Sequence, residues 1–169
     1  MTAIPDPYVL ILLQKHNALR LLKGAYGKIL TPLSIIEEIP SNTLDEALTE
    51  GWFELQDAET DYLMRVDKIE SKSGIRLSVH EEACLALALQ HRARPIVTND
   101  REVEIVAKIL GISTEGIPSA IISASRSGMI SKEDGLKLFL KIYQTILPGL
   151  GTAELFRNSP RWQDLNTKV

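Results

Sequence analysis

Short, wholly apolar runs alternate with longer stretches whose apolar residues recur every three or four positions. This is the pattern of buried strands separated by helices. A strand stub at most is expected over residues 1–5, because Pro5 removes a backbone donor. The run PYVLILL over 7–13 reads as a buried helix, with Pro7 at its first position and Asp6 as N-cap. A second helical piece over 18–23 is expected to end at Gly24 and Gly27, before a strand over 28–30. Thr31-Pro32 signals another helix start, with Ile35, Ile36 and Ile39 on its inner face and Pro40 stopping it. The spacing then predicts a small helix over 42–50, a strand over 52–55 and a long charged helix over 57–71.

The stretch LSVHEEACLALALQHRARPIVTNDREVEIVAKILGI organises the remainder. A helix starting at Ser78 and closing near His91 is apolar on every side between Ala83 and Leu89, so it must be buried. The strand PIVT over 95–98 follows, then a helix over 101–110 closed by Gly111. A short strand or turn is expected over 112–116, and helices over 120–127 and 132–146. Apolar strands alternating with helices predict an α/β domain of three layers, α/β/α, around a short central parallel sheet. That domain is expected to span residues 1–150. Residues 151–169 change character, with Phe156, Arg157, Arg161 and Trp162 among polar residues, and form a C-terminal tail that is a packed extension or partly disordered.

Composition narrows the chemistry. At 169 residues, 44% hydrophobic and 24% charged, the chain suits one ordinary globular domain. A formal charge of −3 argues against a surface that attracts nucleic acid everywhere, while leaving room for a local basic groove. The single cysteine, Cys84, lies inside the apolar helix, which excludes a disulfide framework and a thiolate cluster and points to an inert buried thiol. Neither a membrane span nor a signal-peptide pattern is present, so a cytoplasmic location is the expectation. His16, His80 and His91 do not have ligand spacing; His80 reads as a solvated first-turn histidine.

Four carboxylates stand out. Asp6 and Asp100 sit where strands end and helices begin, each a natural N-cap. Ser78-Val79-His80-Glu81 fits a capping box, and Glu81 shares a face with Leu85 and Ala88, which turns it inward or toward a cleft rim. Glu38 lies in the last turn of a short helix, where negative charge is unfavourable by roughly 0.3–1 kcal/mol, so a bound cation would explain its placement. Functional groups in open parallel sheets gather at the carboxyl ends of strands. Carboxylates converging there cannot all stay ionised without a cation, and hard oxygen donors suit Mg²⁺ or Mn²⁺. Such a site is suited to attack of water on a phosphodiester.

With these residues the chain resembles the PIN-domain family of metal-dependent ribonucleases, in particular prokaryotic VapC-like toxins and their uncharacterised relatives. The resemblance is distributed over residues 6–146. It runs through Asp6-Pro7-Tyr8-Val9-Leu10-Ile11, Thr31-Pro32 to Glu38-Ile39, His80-Glu81-Glu82-Ala83, Thr98-Asn99-Asp100-Arg101 and Gly116 to Ile130. It implies a PIN-type fold and an endoribonuclease whose Asp6, Glu38, Glu81 and Asp100 are both catalytic residues and ligands of Mg²⁺ or Mn²⁺. Thr98 and Asn99 would support that site, and Arg101 would meet the RNA substrate. The resemblance further implies the toxin of a toxin–antitoxin pair, with an antitoxin protein as partner. A homodimer is a further expectation, with surface around Trp52 or Trp162 to serve it. The alternative within the same fold is a degenerate PIN module that binds RNA or a protein partner without cleaving.

Overall fold

The computed structural model describes residues 1–149 apart from Ser41 and Arg94, together with Gly151 and Glu154. The tail residues Phe156, Arg157, Arg161 and Trp162 lie outside the described residues.

Among the described residues five short strands form the sheet: β1 (Thr2–Pro5), β2 (Lys28–Thr31), β3 (Phe53–Leu55), β4 (Ile96–Val97) and β5 (Thr114–Glu115). All pairings are parallel, in the order β3-β2-β1-β4-β5. β1 is thus the central strand, which corrects the expectation of a mere stub. Pro5 is tolerated because it sits last. The pairing of β1 with β2 runs through Thr2 and Ala3 only. On the other side Ile4 and Asp6 donate to Pro95 and Val97 carbonyls at 3.0 and 2.9 Å, so no ladder bond needs a Pro5 N–H.

Side chains along the strands alternate between two cores, as a period of two requires. Ala3, Ile29 and Val97 face one core with α1 (Pro7–Lys15), α2 (Arg20–Tyr26), α7 (Ile117–Arg126) and α8 (Lys132–Ile146). Ile4, Leu30 and Ile96 face the other with α4 (Thr60–Ser73), α5 (Val79–His91) and α6 (Arg101–Ile109). The result is the expected α/β/α sandwich. A short α3 (Asp45–Thr49) and a 3₁₀ helix (Leu33–Glu37) complete the elements.

Several boundaries differ for local reasons. The segment after Pro32 is 3₁₀ rather than α, so residues three apart eclipse. Leu33 and Ile36 therefore face solvent together, correcting the inward placement of Ile36, while Ile35 and Ile39 are buried. Gly24 does not end α2: the helix continues to Tyr26, and Gly27 at φ +80° closes it. A Cβ on Gly24 would meet Met129 Cβ and Cγ at 2.7 Å, so glycine there admits a neighbour. Trp52 is buried and its Nε1 donates to Glu50 Oε2 at 3.0 Å, which removes it as a dimer surface. Among the described residues no helix is long and apolar enough to cross a membrane.

Candidate metal centre at the carboxyl edge of the sheet

The chain crosses from β1 to β2 on one side and reaches β4 on the other, so β1 and β4 flank the point where strand order reverses. A crevice opens at the carboxyl ends of such strands. Asp6 follows β1 directly and Thr98-Asn99-Asp100 follow β4.

Asp6 is the buried member, 1% exposed. It caps α1: Val9 N–H donates to Oδ1 at 2.7 Å. Oδ2 is buried with no hydrogen-bond partner among the described residues. Burial pushes the Asp6 pKa up to about 6, opposed by the Thr98 hydroxyl and the Val9 N–H and reinforced by the charges of Glu81 and Asp100. The Thr98 hydroxyl lies alongside without bonding Oδ2, and it accepts the Asp100 N–H at 2.9 Å.

Asp100 caps α6, its Oδ1 accepting from Glu102 and Val103 N–H at 2.7 and 3.1 Å. Glu81 completes the capping box of α5: Ser78 N–H donates to its Oε2 at 2.7 Å, and Ser78 Oγ accepts from Glu81 N–H at 3.3 Å. In all three cases the cap engages one carboxylate oxygen and leaves the other for a further ligand. Cys84 Sγ donates to the Pro5 carbonyl at 3.7 Å, and burial first, then the charges of Asp6, Glu81 and Glu38, raises its thiol well above the usual range. The thiol therefore stays protonated, an inert buried group.

Glu38 is held differently. It stands at the C-cap of the 3₁₀ helix, and His80 Nε2 lies 3.0 Å from its Oε1. His80 Nδ1 lies 3.0 Å from Ser34 Oγ. His80 is thus part-buried and engaged at both ring nitrogens, not the solvated first-turn residue expected. The link joins positions far apart in the chain, so no local pattern announces it. Asn99 turns to α7, where its Oδ1 accepts the Ile117 N–H at 3.2 Å. Arg101 is exposed at the first position of α6. Thr31, at the end of β2, carries a buried hydroxyl without a hydrogen-bond partner among the described residues.

The donor set is all oxygen, which fits a hard divalent cation. Among the described residues no three His, Cys, Asp or Glu side chains stand close enough together to hold a metal ion.

A family model described as PIN domain matches residues 2–145. The chain belongs to the PIN-domain family. It is 32% identical over 93 residues to Endoribonuclease Nob1 of Methanocaldococcus jannaschii, a match covering 54% of this chain. The chain spans about half, 47%, of the length of that curated relative. Among solved structures it is similar to a PilT N-terminus domain protein from Sulfolobus solfataricus P2, with a TM-score of 0.50 and 16% identity, over 73% of this chain and 93% of that one. That likeness speaks for the fold. Family and fold together place this chain among PIN domains.

Proposed function

We propose that this PIN domain is an endoribonuclease dependent on a divalent cation, Mg²⁺ or Mn²⁺, with Asp6, Glu38, Glu81 and Asp100 as ligands. The observation that carries the reading is Asp6 Oδ2, a buried carboxylate oxygen without a hydrogen-bond partner among the described residues, in the field of two further carboxylates. Burying such a charge uncompensated is costly, and a cation is the partner that its surroundings call for. The family and the similarity to an endoribonuclease supply RNA as the substrate class.

The protein's own groups have separate tasks. Asp6 and Asp100 are aimed by the backbone amides of α1 and α6, and Glu81 by the cap of α5, so the ligands are positioned before substrate arrives. Arg101, exposed beside Asp100, offers a cation to a substrate phosphate. A divalent cation held by the four carboxylates would supply Lewis-acid activation of water and neutralise charge on the scissile phosphodiester.

A second reading, a PIN fold that binds RNA or protein without cleaving, is favoured by the spread of the carboxylates, no three of which are within metal-holding distance among the described residues. One assay separates the two. Purified protein is incubated with mixed RNA in Mn²⁺, in EDTA, and as Asp100→Asn. Cleavage that requires Mn²⁺ and is lost in the variant supports the nuclease. Cleavage that ignores EDTA or survives the substitution sinks it, and RNA binding without cleavage in any condition leaves the second reading. The finer proposal, a toxin held by an antitoxin, predicts growth arrest on expression that Asp100→Asn relieves.

A further inference from the structure

We propose that His80 is a positioning residue for Glu38, holding that carboxylate in place for the cation without itself being a ligand; the inference rests on the metal-site reading above. Three of the four carboxylates are aimed by helix amides, at the N-caps of α1 and α6 and in the capping box of α5. Glu38 has no such support, because it sits at the C-terminal end of a 3₁₀ helix, where backbone carbonyls rather than amides are free. With its side chain 36% exposed, it would sample many rotamers if left alone.

His80 supplies the missing hold. A carboxylate only accepts, so the proton on the side facing Glu38 Oε1 belongs to His80 Nε2, 3.0 Å away. In the neutral ring Nδ1 is then an acceptor, and Ser34 Oγ donates to it at 3.0 Å. The ring is therefore fixed at both nitrogens, with its side chain only 17% exposed. His80 lies in the first turn of α5, whose start is locked by the Ser78–Glu81 capping box. Through this ring the position of Glu81 on α5 also sets that of Glu38 on the 3₁₀ helix. The contact occupies Oε1 and leaves Oε2 for a further ligand. Polar partners behind metal ligands orient them in this way, and their loss typically costs about ten- to hundred-fold in metal affinity.

The test is Mn²⁺ binding by calorimetry and by electron paramagnetic resonance at neutral pH, on wild type, His80→Ala, His80→Gln, His80→Asn and Asp6→Asn, with thermal unfolding as a check on folding. A glutamine amide N–H reaches about where Nε2 stands, whereas asparagine places its amide nearer Nδ1. His80→Ala and His80→Asn are expected to weaken Mn²⁺ binding about ten-fold or more, and His80→Gln to restore it to within a few-fold of wild type. Wild-type affinity in His80→Ala, with binding lost in Asp6→Asn, would overturn the role of His80 and leave the metal site standing. Equal weakening in His80→Gln and His80→Asn would also overturn it, since only packing would then matter. Should the alanine variant fail to fold, the glutamine–asparagine comparison still decides. Absence of Mn²⁺ binding in the wild type would overturn the metal-site reading itself.

Discussion

Replacing Asp6 by asparagine should stabilise the metal-free protein at neutral pH while destroying its site. Asp6 is fully buried and its folded-state pKa stands at about 6 against an ordinary 3.8. Between these values the folded state holds a proton that the unfolded chain has released. Stability therefore falls as pH rises through this window, and the full cost is present above about pH 6. At about 1.4 kcal/mol per pH unit, the gap amounts to about 3 kcal/mol. Asparagine is as good an N-cap as aspartate, so the Val9 bond survives. Its buried amide costs about 1–3 kcal/mol if left unpaired, but that penalty does not titrate and cancels between two pH values. Urea denaturation in EDTA, at pH 4 and pH 7.5, isolates the effect. The stability of Asp6→Asn relative to wild type should rise by about 2.5 kcal/mol from the lower to the higher pH, since a little of the cost is already present at pH 4. Mn²⁺ should stabilise the wild type and not the variant. A relative stability that does not change with pH, or that falls, would refute the desolvated carboxylate at the centre of the reasoning.

Other perturbations separate cap from ligand. Asp100→Asn retains both cap bonds and should leave the thermal midpoint nearly unchanged while abolishing RNA cleavage; Asp100→Ala should lose both activity and about 1 kcal/mol of stability by urea denaturation. Ser78→Ala breaks the capping box and should cost about 1 kcal/mol, read by the same denaturation, with weaker Mn²⁺ binding because Glu81 loses its hold. Gly24→Ala, which in an open helix would gain about 1 kcal/mol, should instead lose about 1–3 kcal/mol against Met129, and pairing it with Met129→Ala should recover part of the loss.

What could be read from the chain was whatever is encoded locally. Ser78 and Glu81 are three residues apart, so the capping box and the start of α5 follow from adjacent chemistry. The same holds for Asp6 before Pro7 and for Asp100, whose side chain serves amides two and three residues ahead. The bounds of α8 follow from Ser131 at its cap and a continuous apolar stripe. Strand β1 was underread because local propensity counts Pro5 against it, whereas the sheet needs no donor at that position. Gly24 reads locally as a stop, because the reason for it, Met129, arrives from the turn after α7. His80 was misplaced for the same cause: Ser34 and Glu38 reach it only once the 3₁₀ helix packs beside α5. The bond from Ile117 N–H to Asn99 Oδ1 spans 18 residues, so it too lies beyond any local pattern.

The grouping of these carboxylates becomes intelligible once the helices are counted with them. Asp6, Glu81 and Asp100 stand at the N-termini of α1, α5 and α6, each at the positive end of a helix dipole. Each dipole is equivalent to roughly half a positive charge and stabilises a nearby carboxylate by about 0.3–1 kcal/mol, or about 2 in a partly buried site. Glu81 and Asp100 have that help together with access to solvent. Such help is not enough for Asp6, whose burial outweighs the amide of α1 and leaves its pKa at about 6. Glu38, at the wrong end of its helix for such help, has the ring of His80 instead. The fold thus balances three carboxylates locally and leaves one underbalanced at the end of its central strand. Asp6 is where a cation would gain the most, and where its removal would be felt first.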